Sequence, residues 1–93
     1  MNKSKKILET SNILKKISDL KKLKKKIVLC HGVFDLLHIG HIDYFKEAKK
    51  FGNILIVSVT DDIFVSKGSG RPYFNSIERS RFISSLEVVD FVY

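Results

Sequence analysis

Ile13, Leu14, Ile17, Leu20 and Leu23 recur at three- and four-residue intervals between lysines. This is the stripe of an amphipathic helix, with Thr10 or Ser11 placed to cap its start. The pattern changes at Ile27-Val28-Leu29-Cys30, a short apolar run without alternation that predicts a strand buried on both faces. Gly32 ends it. From about Ile39 to Phe51, the apolar positions Ile42, Phe45 and Ala48 set among Lys and Glu predict a second helix, stopped by Gly52-Asn53. Ile54 to Val59 predicts a second buried strand. Thr60-Asp61-Asp62 leaves it, Ile63-Phe64-Val65 forms a short apolar turn, and Lys67-Gly68-Ser69-Gly70-Arg71-Pro72 has the composition of a loop. Asn75 or Ser76 with Glu78 resembles a capped helix start, predicting a helix over roughly 76–87 with Ile83 and Leu86 facing inward. Val88 to Tyr93 is a third apolar run.

Strands alternating with helices across short loops predict an α/β protein with a Rossmann-like parallel sheet. The expected architecture is a βαβαβ half over residues 27–93, preceded by a basic amphipathic helical arm over residues 1–26. In such sheets ligands bind beyond the carboxyl ends of the strands, which directs attention to residues 31–41 and 60–72. A length of 93 residues leaves room for one domain only. A hydrophobic fraction of 44% with only 5 Gly and 1 Pro excludes collagen-like and disordered classes. No apolar run approaches the roughly 18 residues of a membrane span, and the residues after Met1 are polar and basic, so the expected compartment is the cytoplasm. The single cysteine, Cys30, excludes an internal disulfide and a Cys-based zinc site.

The net charge of +7 changes meaning once it is located. Residues 1–26 hold ten lysines against Glu9 and Asp19, whereas residues 27–93 are close to neutral. The lysine runs include no arginine and no aromatic residue for base stacking, so a solvated helix face is expected in place of a specific nucleic-acid site.

The chemistry concentrates in His31-Gly32-Val33-Phe34-Asp35-Leu36-Leu37-His38-Ile39-Gly40-His41. His38 and His41 lie three residues apart at the first turn of a helix and so share one face. Gly40 between them leaves the backbone open to a phosphate, and the helix N-terminus supplies free N–H groups and a positive dipole end. A neutral imidazole donates one N–H to a phosphoryl oxygen. The same pair also admits a capping role, or a metal role with Asp35 or His31 as a third ligand, although nothing here has the spacing of a known zinc site. Gly68-Ser69-Gly70 lacks the third glycine of a dinucleotide fingerprint.

Residues Gly32 to His41 resemble the G-x-F-D-x-x-H-x-G-H signature of the cytidylyltransferase-like nucleotidyltransferases, complete in this sequence. The loop Lys67 to Pro72, the pair Glu78-Arg79 and the run Val89-Asp90-Phe91-Val92 are similar to the segments that follow in the sugar-phosphate branch of that family. The likeness covers about residues 26–93. It is closest to the nucleotidyltransferase domain of ADP-heptose synthases and to glycerol-3-phosphate cytidylyltransferases, and resembles their N-terminal portion. The resemblance implies transfer of a CMP or AMP group from CTP or ATP to a phosphorylated sugar or polyol, with release of pyrophosphate. It implies catalytic roles for His38, His41 and Lys67, and nucleotide-binding roles for Gly32, Phe34, Asp35, Gly40, Asp61 and Arg79. Mg²⁺ is expected to arrive with the nucleotide, with no metal ligand from the chain. The expected partners are the nucleotide, the phosphorylated small molecule and further copies of the chain, without membrane or specific nucleic acid. His-Ile-Gly-His also occurs in class I aminoacyl-tRNA synthetases, but the Phe34-Asp35 pair and the short gap to Lys67 favour the first family. A non-catalytic nucleotide-binding or assembly module is the alternative of a different class.

Overall fold

The computed structural model describes residues 5–65 and 72–93. Its elements follow in the order α1 (Thr10–Lys22), β1 (Ile27–Gly32), α2 (Ile39–Lys49), β2 (Ile54–Val59), a 3₁₀ turn (Asp62–Phe64), α3 (Ser76–Ser84) and β3 (Phe91–Val92). The three strands are parallel in the order β1-β2-β3, as the alternation of strands and helices predicts. Ile27 to Gly32 stand opposite Ile54 to Val59, and Ile56-Val57 opposite Phe91-Val92.

β2 is central and its run Leu55-Ile56-Val57 is almost fully buried, so both its faces are covered. One face carries Cys30, Leu55, Val57 and Val92 against Phe45 of α2 and Ile83 of α3, with Val28, Ala48 and Leu86 at the margin. Successive strand residues alternate, so Ile56 and Phe91 belong to the other face. There α1 supplies the buried Ile13, and the Lys16 ammonium lies 5.3 Å from the Phe91 ring centroid. Helices thus occupy both faces, α2 and α3 on one and α1 on the other.

The basic arm is woven into the sheet. Ile7 forms a parallel bridge with Val92, closed by Leu8 N–H to the Val92 carbonyl (2.9 Å) and Val92 N–H to the Lys6 carbonyl (2.9 Å). This adds a short strand-like segment outside β3. It also pulls α1 toward the β3 side, which explains a departure from the expected double burial of β1. Cys30 is buried, but Leu29 is 64% exposed, with no helix among the described residues reaching over its side of β1.

Helix starts follow local chemistry. Asn75 caps α3 by accepting from Glu78 N–H (2.8 Å), and the Glu78 carboxylate accepts from Asn75 N–H (3.2 Å), the reciprocal box read from the sequence. At α1 the N-cap is Glu9, without a side-chain cap, and not Thr10 or Ser11. The Thr10 hydroxyl donates instead to the Tyr93 hydroxyl (3.2 Å). α3 ends at Ser84, short of the expected 87, and β3 keeps only Phe91-Val92 of the run from Val88. Asp90 explains the late start of β3. Its carboxylate accepts from Leu55 N–H (2.7 Å) and pairs with Lys49 at the end of α2, lacing three elements before the ladder begins. Among the described residues no helix is long and apolar enough to cross a membrane.

Candidate active site

The chain leaves β1 at Gly32 and turns sharply at Phe34, whose φ of 52° is unusual for a residue with a side chain. A Cβ on Gly32 would lie 2.7 Å from the Phe34 ring, so the glycine is required for that ring to fold back under the strand end. Phe34 is buried and packs edge-on against Phe45 (5.2 Å between centroids) and against His41 (5.6 Å). It therefore belongs to the core and to the support of His41. Burial leaves the backbone, and not the ring, as the part of Phe34 that can meet the expected nucleotide.

His38 is the N-cap of α2 and His41 its third residue. The His38 Nδ1 accepts from Gly40 N–H (3.0 Å), and the His41 Nδ1 accepts from His38 N–H (3.2 Å). A nitrogen that accepts a backbone N–H carries a lone pair, so these bonds assign the ring proton of each neutral histidine to Nε2. The two rings stand 4.2 Å apart between centroids. Capping and phosphate binding, which compete as readings of the sequence, use different nitrogens. Capping fixes the tautomer, with the ring proton on Nε2. Gly40 has a closer reason than access for phosphate: a Cβ there would meet His38 Cε1 at 2.7 Å and Nδ1 at 2.9 Å and displace the capping ring. On the same helix the Tyr44 phenol is raised above its ordinary value, chiefly by its hydrogen bond with the Cys30 thiol, and stays protonated at neutral pH.

Two further residues expected at the nucleotide are turned into the protein. The Asp35 carboxylate is 5% exposed and accepts from Tyr73 N–H (2.8 Å) and Phe74 N–H (2.9 Å). Arg79 has no exposed surface. Its Nε donates to the Phe74 carbonyl (2.9 Å), one terminal nitrogen to the Val33 carbonyl (2.8 Å) and the other to the Asp62 carboxylate. With each nitrogen engaged and no accessible surface, the guanidinium faces the protein in this structure and not the solvent. Together Asp35 and Arg79 tie the loop after β1 to the start of α3, each side chain holding the other segment's backbone. Asp62, the exposed-side partner of Arg79, had no distinguishing signal in the sequence. Asp61 stands exposed at the end of β2, and Lys67 lies outside the described residues.

A parallel sheet with helices on both faces sets a pair of oriented imidazoles at a helix N-terminus just beyond its first strand, the edge at which open α/β sheets bind their ligands. The cytidylyltransferase-like family model matches residues 29–93, and the chain belongs to that family. It is 44% identical over 78 residues to the bifunctional protein HldE of Desulfatibacillum aliphaticivorans, covering 82% of this chain and 16% of that protein. It is 43% identical over 82 residues to HldE of Aliarcobacter butzleri, covering 86% of this chain and 17% of the relative. The chain thus spans about one sixth of the length of these curated relatives. Among solved structures, the lipopolysaccharide core biosynthesis protein from Thermoplasma volcanium superposes with a TM-score of 0.68 at 43% identity, over 73% of this chain and 56% of that one.

Proposed function

We propose that this chain carries the phosphate-binding half of a nucleotidyltransferase that moves a CMP or AMP group from CTP or ATP onto a phosphorylated sugar or polyol, releasing pyrophosphate. The observation that supports this reading is the pair of imidazoles gathered at one helix N-terminus, each capping the backbone through Nδ1 and so carrying its ring proton on Nε2. In line with that arrangement, an acceptor phosphate oxygen attacks the α-phosphorus, the α–β bridging bond breaks, and pyrophosphate leaves with the electron pair. His38 and His41 donate to oxygens on which charge builds in the transition state, the form of catalysis in which fixed donors give the largest effect. Imidazoles committed to hydrogen bonding suit phosphate oxygens better than a hard cation, so Mg²⁺ is assigned to the nucleotide's own phosphates and to no side chain of this chain. Lys67 is assigned to the same phosphates as a point charge.

Release of pyrophosphate from a panel of nucleoside triphosphates in the presence of sugar and polyol phosphates tests the reading. Turnover dependent on both substrates supports it. Nucleotide binding without turnover supports the non-catalytic alternative.

A further inference from the structure

A cavity of about 430 Å³ opens at the carboxyl edge of the sheet on the α1 side. Thr10, His31, Thr60, Asp61, Phe64 and Tyr93 line it. His31 is held there by a directed set of hydrogen bonds. The Thr60 hydroxyl donates to the Gly32 carbonyl (3.2 Å), so its oxygen is the acceptor for His31 Nε2–H (3.4 Å). The His31 Nδ1 then accepts from the Ser58 hydroxyl (3.0 Å). The ring is fixed from β2 while its surface stays exposed. Opposite it, Thr10 donates to the Tyr93 hydroxyl, which leaves the Tyr93 proton for another acceptor. The Asp61 side chain does not cap the turn that follows it.

The charge of the lining decides what fits. No lysine or arginine among the described residues borders the cavity, and Asp61 makes it negative. A phosphate is repelled here, whereas hydroxyl groups find an acceptor in Asp61 and a donor in Tyr93, and C–H surfaces find the rings of Phe64 and Tyr93. The site at the start of α2 has the opposite character, with N–H donors and a helix N-terminus.

We propose that this cavity receives the hydroxylated, uncharged part of the acceptor, and that Thr10, His31 and Tyr93 determine which acceptor is chosen. The proposal rests on the nucleotidyl-transfer reading above and reassigns Asp61 from nucleotide to acceptor. It also gives the basic arm a role, since Thr10 forms one wall.

NMR titration of the 93-residue chain with glycerol 3-phosphate, a hexose 1-phosphate, cytidine and adenosine tests it. The phosphorylated polyol or sugar is expected to move the ring signals of His31 and Tyr93, and the nucleosides are not. Thr10→Val and Tyr93→Phe, which keep shape and remove one hydroxyl, are expected to weaken acceptor binding about three- to tenfold, the weight of one neutral hydrogen bond, without changing nucleoside triphosphate binding. Absence of shifts at His31 and Tyr93 with every acceptor overturns the proposal, as do shifts caused by nucleosides or unchanged affinity in both variants. Acceptor binding at these residues with no pyrophosphate release on adding a nucleoside triphosphate would leave the subsite standing and remove the transfer reading instead.

Discussion

Arg79 and Asp62 form an ion pair whose two members live in different environments: the guanidinium is fully buried and the carboxylate side chain is 41% exposed. Their substitutions are therefore expected to differ. Arg79→Ala removes hydrogen bonds to Val33, Phe74 and Asp62, leaves two part-buried carbonyls without that donor and opens a cavity where a fully buried side chain stood, a loss of about 2–4 kcal/mol. Asp62→Asn keeps an acceptor for the guanidinium and loses charge in a solvent-screened position, about 1 kcal/mol or less. Urea melts of the two variants check the ordering. Equal midpoints, or an Arg79→Ala protein as stable as the parent, would return Arg79 to the role of a ligand-facing residue.

His38 caps with one nitrogen and donates with the other, and substitution can separate the two. His38→Ala is expected to lose about 1 kcal/mol of stability with the cap, and at least about a hundredfold in kcat with the donor. His38→Asn supplies a good capping oxygen, so the melt is expected to return toward the parent value while turnover stays low. Thermal melts paired with pyrophosphate release measure both. Full activity in the asparagine variant would show that capping, and not the Nε2–H, is what the reaction requires.

Gly32 and Phe34 are coupled through space. Gly32→Ala places a methyl group against the Phe34 ring at 2.7 Å, and the strand end and the ring cannot both stay in place. Because that ring supports His41, the variant is expected to lose about 1–3 kcal/mol of stability and activity together. Phe34→Leu in the Gly32→Ala background relieves the clash. A double-mutant cycle is expected to show an interaction of about 0.5 kcal/mol or more, and strict additivity would mean that the ring does not lie under the glycine.

The elements that could be read from the sequence are those with local causes. The span of β2 follows from its unbroken apolar run, and the α3 start from the Asn75 and Glu78 pair three residues apart. The place of the histidine pair at the start of α2 was legible, and capping was one reading of it, but nothing in the spacing tells which nitrogen meets the backbone. Arg79 shows the limit more sharply. An arginine in the first turn of a helix has the same local signature whether it points to solvent or inward, and its direction here is decided by the Val33 carbonyl, 46 residues earlier. The pairing of Ile7 with Val92 joins the two ends of the chain through a single bridge, too short to leave any alternation behind. That pairing moved α1 away from β1 and exposed Leu29, so one unread contact accounts for the overestimated burial of the first strand.

The same geometry governs how the chain behaves in solution. β1 pairs only with β2, and its outer edge has no strand partner among the described residues, because the arm adds to β3 at the opposite side. Beside that edge stand Leu29, 64% exposed, and further round the surface Phe51, 72% exposed. An open strand edge of six residues flanked by apolar side chains is a template for another chain. The 93-residue chain is therefore expected to self-associate at tens of micromolar, an order-of-magnitude range set by a small apolar edge. Leu29→Lys puts a charge on the exposed face of β1 and removes little buried surface. It is expected to shift sedimentation toward monomer while leaving the melting temperature within a few degrees of the parent. Proline at Leu29 blocks edge pairing only if the backbone N–H of that residue faces outward, so lysine is the cleaner probe. A parent chain that sediments as a monomer, or an association that Leu29→Lys leaves intact, would place the interface elsewhere than the β1 edge.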